Sequence, residues 1–349
     1  MSDTIRAWRI VEHGAPEVLR LDEVPLPEPG PGEVRVRMEA MALNHLDLWV
    51  RRGIPGVRFP LPLVPGSDGA GTVDAVGPGV AGIEPGTRVF VLPGVSCGRC
   101  AACLAGRDNY CREYGILGES RDGTSAEAIV LPATNVAPVP PRLSLEEAAS
   151  FGLVYLTAWH MLVHKARVRA GERVLVHAAA SGVSSAGIQI ARLHGARVVA
   201  TAGSPEKLAL ARDLGAEEAF DYREEDWPAR VREWAGPDGI DIVFDHVGEQ
   251  TFGPSLRVLG RGGRYVFCGA TTGPRLEADM RLVFFRNFEV LGSTMGRRAD
   301  LLRVADLLAA GRLRAVVDPH TFTFEDLPAA HRHLEERRAL GKVVVRFGR

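Results

Sequence analysis

Apolar and polar positions follow two different rhythms along this chain. From Val174 to His177 the run is apolar and short, as in a strand buried on both faces. A small-residue turn follows over Ala178 to Ser185, and then a helix over Ala186 to His194 with apolar positions at Ile188, Ile190, Ala191 and Leu193. A second apolar strand, Arg197 to Ala202, comes at once. The alternation continues with a helix over Pro205 to Gly215, a strand at Glu218 to Tyr222 and a helix over Asp226 to Ala235. Next come a strand at Ile240 to Asp245, a helix over Thr251 to Leu259, a strand at Gly263 to Cys268 and a sixth strand near Val290 to Gly292. Strands alternating with helices predict a parallel sheet joined by right-handed crossovers.

The first part of the chain reads differently. Short apolar strands within residues 5 to 24 and 33 to 43 flank VPLPEPGPGE, where proline and glycine exclude a helix. From Gly66 to Pro93, strand-like runs are broken by glycine every few residues, the texture of a small, strongly bent antiparallel barrel. Ser144 and Glu147 are spaced as a capping box and open a helical stretch that carries FGLVYLTAWHMLVHKA. After an amphipathic helix over Ala299 to Ala310, LEERRALGKVVVRF predicts a helix running into a strand. That last strand lies outside the strand-helix rhythm, so it is expected to return to the β region and make that domain discontinuous.

At 349 residues with 46% apolar side chains the chain has material for two domains and their cores. A formal net charge of −1 argues against nucleic acid or an anionic membrane as the main partner. The 42 cationic side chains comprise 39 arginines and only Lys165, Lys207 and Lys342 as lysines. No basic-then-apolar leader and no apolar run of about 18 residues is present, so a soluble cytoplasmic protein is expected. Four of the five cysteines, Cys97, Cys100, Cys103 and Cys111, share one short loop spaced C-x2-C-x2-C-x7-C. Four thiolates can close a tetrahedral shell around Zn²⁺ with no open position, which makes a structural site. A pair of disulfides fits a reducing compartment poorly, and an iron–sulfur cluster favours another spacing. Cys268, alone on its strand, reads as a small buried apolar residue.

The turn after the first parallel strand is the candidate dinucleotide site. Its glycine slots are held by Ala179, Ser181 and Ser184, with Gly182 between them, all small enough for a pyrophosphate to approach backbone N–H groups. The plainer alternative is an ordinary strand-helix turn without a ligand. Twenty residues after Gly182 stands Ala202, where an NAD site would place a carboxylate, and no acid follows until Glu206. Ser204 and Lys207 offer a hydroxyl and a cation suited to a 2′-phosphate, although Lys207 could equally decorate an exposed helix.

Taken together, GSDGAGTVDAVGPGV with PGTRV, the four-cysteine lobe, LTAW ahead of GERVLVHAAASGVSSAGIQIA, ATAGSPEKLALARDLGA and the terminal GKVVV resemble the medium-chain dehydrogenase/reductase superfamily. The resemblance spans nearly the whole chain. It implies an α/β protein with a GroES-like β barrel over 1–153 and 293–349, carrying a zinc lobe at 94–115, and a Rossmann doubly wound sheet over 154–292. It also implies that Thr157, Val183, Val247 and Gly269 join Ala179, Ser181, Gly182, Ser204, Lys207 and a Tyr222 near the phosphate in holding NADP(H), preferred over NAD(H). Where zinc alcohol dehydrogenases of the superfamily hold a catalytic metal, this chain has Asn44, Ser67 and Leu153, and Leu46 replaces the proton-relay hydroxyl.

Asn44 is instead similar to the asparagine that lies near the nicotinamide in zinc-free quinone oxidoreductases. Beside it, His45 or Asp47 could donate a proton, and Asp68 is expected to bond to backbone. Tyr155 and Trp49 could line the pocket or fill the core. The reading is an NADPH-dependent reductase of quinones or α,β-unsaturated carbonyls, with one structural Zn²⁺ per chain and no catalytic zinc. A zinc-type alcohol dehydrogenase and a non-catalytic NADPH-binding relative of the crystallin or regulator kind are the alternatives. The partners expected are a small-molecule substrate and further copies of the chain, as a homodimer or homotetramer joined at the sheet edge near Phe288 to Leu291.

Overall fold

The computed structural model describes residues 4–348 and divides the chain into two compact units. Val154–Gly296 form one unit. The other takes the chain up to Leu153 together with the stretch from Arg297 onward.

The unit of Val154–Gly296 is built on a six-stranded parallel sheet. In spatial order its strands are Glu218–Asp221, Arg197–Ala202, Arg173–Val176, Ile240–Asp245, Leu259–Phe267 and Glu289–Gly292. Val174, Leu175 and Val176 are fully buried, as expected of a central strand covered on both faces. The chain order reverses direction between Arg173–Val176 and Ile240–Asp245, which puts a topological switch point beyond their carboxyl ends. The helix after the first strand spans Gly182–Leu193, four residues earlier than the apolar pattern places it. Ser181 is the reason: its Oγ accepts the Ser184 N–H at 3.2 Å and caps the helix while the sequence still reads as turn. Within that helix Gly187 lets the backbone lie close on the sheet, since a Cβ there would sit 3.0 Å from the Phe244 ring.

The second unit contains a strongly curved seven-stranded sheet. Glu33–Ala42 runs antiparallel to Asp68–Val76 and to Ala128–Pro132, with register shifts that bend it. The late strand Val344–Arg346 pairs antiparallel with Glu33–Ala42, Val345 opposite Met41, so chain segments some three hundred residues apart close one sheet. Val34, Val36, Val73 and Val89 form one core cluster, and Ile10, Met41, Phe324 and Val345 belong to another. Ser144 caps Leu145–Ser150 in the capping box its spacing indicates. The apolar stretch after it is not one uniform helix: Gly152–Trp159 is α-helical and His160–Lys165 widens into a π turn, closed by Ala166 N–H to Met161 O at 2.8 Å.

Candidate functional site

The helix His45–Arg52 starts at Asn44, whose backbone is extended and whose N–H donates to Asp47 Oδ2 at 2.7 Å. Asp47 N–H returns a bond to Asn44 O, and Asp47 Oδ1 accepts from Gly66 N–H at 3.1 Å. Burial pushes the Asp47 carboxyl up to about 6, against the Asn44 N–H and the positive charge of Lys342. The Asn44 side chain is held at both ends: Nδ2 donates to Asp68 Oδ2 at 3.0 Å, and Oδ1 accepts from Lys342 Nζ at 2.6 Å. Lys342 Nζ also donates to Asp68 Oδ2 at 2.8 Å. Asp68 Oδ1 accepts Leu153 N–H at 2.7 Å, at the start of Gly152–Trp159, where the helix dipole favours an anion. Gly152 permits that approach, because a Cβ there would lie 2.5 Å from Asp68 Oδ1.

Lys342 is 3% exposed, so its charge is offset from inside the protein. Its backbone is pinned by Lys342 N–H to Val316 O and by Asp318 N–H to Lys342 O, each at 2.8 Å. Asp68 thus bonds to backbone, as the sequence suggests, and also to two side chains that the sequence did not link to it. Lys342 was missed as a functional residue; the signal was a rare lysine at the head of the apolar run VVV. His45, half-buried, opens the same helix as Asp47. Ser67 Oγ donates to Leu117 O at 2.8 Å, and Tyr155 is buried with its hydroxyl accepting from Gln189 Nε2.

In the unit of Val154–Gly296, the turn after Arg173–Val176 carries Ala178 at φ 50°, a left-handed conformation unusual for alanine. Ala179 is fully buried and its N–H is committed to Thr201 O, so it contributes only its small size. Gly182 and Val183 begin the helix, where N–H groups have no intrahelical partner and can meet an anion. Ser181 Oγ lies 2.8 Å from His246 Nε2, and Ser184 Oγ lies 3.1 Å from the same nitrogen. His246, buried with its pKa lowered by that burial, ties the turn to the end of Ile240–Asp245 across the switch point. It too was missed, although it precedes Val247 in FDHVG. Val247 follows on the same loop, and Gly269 approaches it: a Cβ there would be 3.1 Å from His246 O.

Ser204 caps Pro205–Asp213 by accepting Lys207 N–H, and Tyr222 follows the neighbouring strand with 44% exposure. Gly203 brings them close, since a Cβ on it would lie 2.4 Å from the Tyr222 hydroxyl. Asp221, the nearby acid, is matched by Arg223 through its backbone N–H and guanidinium. Thr157 Oγ1 is buried without a hydrogen-bond partner among the described residues. A nucleotide suits this set: small residues at the turn, open N–H groups, an orphaned hydroxyl and no uncompensated acid at the ribose position.

The four-cysteine loop is compact. Cys100 and Cys103 sulfurs are 3.5 Å apart, Cys111 and Cys97 3.5 Å, Cys97 and Cys103 4.0 Å, and all four lie within 4.8 Å of one another. A Zn–S length of about 2.3 Å sets tetrahedral S···S separations near about 3.8 Å, so the donor set fits that ion. The thiols are free, and backbone N–H groups of Arg99 and Cys100 lower Cys97 to about 7. Among the described residues, this is the group of three or more His, Cys, Asp or Glu side chains that could hold a metal. No helix among them is long and apolar enough to cross a membrane.

Comparison with known proteins agrees with this anatomy. The alcohol dehydrogenase GroES-like domain matches residues 30–141, and the zinc-binding dehydrogenase family matches residues 182–310. A quinone oxidoreductase of Rattus norvegicus is 31% identical over 98% of this chain and 97% of its own length. A crotonyl-CoA reductase of Streptomyces collinus is 31% identical over 94% of this chain and 81% of its own. Among solved structures, an NAD-dependent alcohol dehydrogenase superposes with a TM-score of 0.95 at 51% identity, covering 98% of this chain and 100% of that one. A GroES-like barrel and a Rossmann sheet, matched along almost their full length, make this chain a member of the medium-chain dehydrogenase/reductase superfamily and an NAD(P)(H)-dependent oxidoreductase.

Proposed function

We propose that the protein is an NADPH-dependent reductase of quinones or α,β-unsaturated carbonyls, with a structural Zn²⁺ on Cys97, Cys100, Cys103 and Cys111 and no catalytic zinc. The observation that carries this reading is the Asn44–Asp68–Lys342 cluster. At the positions where relatives hold a metal, the side chains offer no thiolate or imidazole, and Asp68 is already engaged by Lys342. Oxidising a simple alcohol needs its proton removed first, which a metal makes easy. Reducing an enone or quinone needs hydrogen-bond donors for the developing oxyanion, and a proton.

When bound, the cofactor supplies the hydride. Gly182 and Val183 would offer their N–H groups to its pyrophosphate, and Ser204, Lys207 and Tyr222 would hold a 2′-phosphate. Asn44 Nδ2 has a second hydrogen to donate. Asp47, with its carboxyl near 6, and His45 are the groups beside it that can exchange a proton. The assay is NADPH oxidation with a para-benzoquinone and a straight-chain enone, set against primary alcohols with NADP⁺ or NAD⁺, alongside the zinc content. Reduction with one zinc per chain supports the reading. Alcohol turnover with two overturns it.

Cofactor choice is tested separately by Lys207→Ala. It should weaken NADPH about 10- to 100-fold, the loss of one charge-assisted phosphate contact, and leave NADH unchanged. Equal loss for both cofactors would remove Lys207 from the phosphate. A second reading, an NAD-dependent alcohol dehydrogenase, is favoured by the 51% identity to a solved structure of that description; the same assay and metal count decide between them.

A further inference from the structure

Asn44 could in principle sit with its amide either way round, since the two orientations differ only by exchanging O and NH₂. Here only one satisfies its neighbours. Oδ1 meets an ammonium at 2.6 Å and Nδ2 meets a carboxylate at 3.0 Å, and a flip would set donor against donor and acceptor against acceptor. Lys342 itself comes from the far end of the sequence and is buried with its only described side-chain bonds going to Asn44 and Asp68.

We propose that Lys342 is a positioning residue for the reaction: its ammonium, together with Asp68, locks the Asn44 amide so that the remaining Nδ2 hydrogen is presented in one fixed direction to an oxygen acceptor of the reacting pair. The proposal rests on the reductase reading above. Accepting a charged donor at Oδ1 polarises the amide and makes its N–H a stronger donor, because hydrogen bonds in a chain reinforce one another in a medium of low dielectric. Asp68 alone would hold Nδ2 but leave the carbonyl end unspecified, and Lys342 alone would carry an uncompensated charge. The pair is neutral as a unit, so the orientation is fixed without an external ion. The other charged groups nearby do not compete: Asp47 is occupied by the Asn44 and Gly66 N–H groups, and Arg51, on the same helix, is bonded to Gly14 O, His331 and Glu335.

The test separates positioning from mere packing. Lys342→Met should lower kcat about 10- to 100-fold with KM for NADPH held within about threefold, the pattern of a misplaced group rather than lost binding. The double variant Lys342→Met/Asp68→Asn removes both charges and keeps an acceptor for Nδ2. Its Tm should return towards that of the wild type while kcat stays low, and it carries the test should the single variant not fold. Recovery of kcat together with Tm would overturn the proposal, as would unchanged kcat in Lys342→Met.

A readout independent of turnover comes from the four asparagines, Asn44, Asn109, Asn135 and Asn287. With ¹⁵N-asparagine labelling, each side-chain amide gives one proton pair, and the Asn44 pair is assigned by its loss in Asn44→Ala. The two Asn44 protons should be well separated and slow to exchange in the wild type, and should shift together in the double variant. An unmoved Asn44 pair would overturn the proposal. If the wild type reduces no quinone or enone, the reductase reading fails, and this measurement still decides whether Lys342 orients Asn44.

Discussion

Two regions of the barrel-containing unit gather charge in opposite ways. The cysteine loop brings four thiols within 4.8 Å of one another inside fifteen residues, a donor set that fits a metal ion from solution. The Asn44 cluster draws Asp47 and Asp68 together and has its cation built in, because Val344–Arg346 returns to the sheet and carries Lys342 to them. One site is assembled by local spacing into a donor set that fits an ion. The other is assembled by topology and completed by the chain. The contrast teaches that a buried carboxylate can find its cation in the chain itself, at the cost of depending on the correct closure of the whole sheet.

The largest expected effect sharpens the first half of that contrast. Removing zinc with a strong chelator should lower Tm steeply and raise hydrogen exchange over residues 94 to 115, since metal binding of about 10 kcal/mol supplies most of the folding energy of such a loop. Activity should fall only as the protein unfolds. Immediate loss of turnover in a folded, zinc-free protein would break the division into a structural ion and a built-in cation.

The second half is tested by Lys342→Met, which leaves Asp68 buried without its ion partner and should cost about 3–5 kcal/mol in denaturant unfolding. The chelator should change neither this value nor the difference between single and double variants, provided the two regions are independent.

Asp47 gives a smaller, pH-dependent effect. Its carboxyl is raised from an ordinary 3.8 to about 6, so the folded state favours the protonated form. The stability this contributes is complete below about pH 4 and is lost as pH rises through 6, up to about 3 kcal/mol at 1.36 kcal/mol per unit. Wild type should therefore lose ground to Asp47→Asn between pH 4 and 7. Parallel stability curves would show that Asp47 is ionised as easily in the fold as outside it. The smallest effect belongs to Ser67→Ala, about 1 kcal/mol for the hydrogen bond to Leu117 O, with zinc content unchanged.

The parallel sheet, the curved β unit, the cysteine loop and the Ser144 cap were all readable from the chain, because each rests on spacing between near neighbours. The six strands announce themselves as short apolar runs, and the four cysteines occupy one loop. At the first crossover helix local pattern misled through a single side chain: Ser181 caps the helix ahead of the apolar stripe, so Gly182–Leu193 starts sooner than periodicity indicates. Asn44 and Asp47, three residues apart, could be singled out from their motif. Their partners could not. Asp68 is 24 residues from Asn44 and Lys342 is 298, and nothing in the text of the chain says that a lysine ahead of three valines will bury its ammonium on an asparagine amide. The sequence by itself determined which residues could form strands, caps and a metal loop. Only the tertiary structure decided which charges meet, because burial removes water as a partner and leaves Asp68 and Lys342 to neutralise each other across a sheet closed by the two ends of the chain.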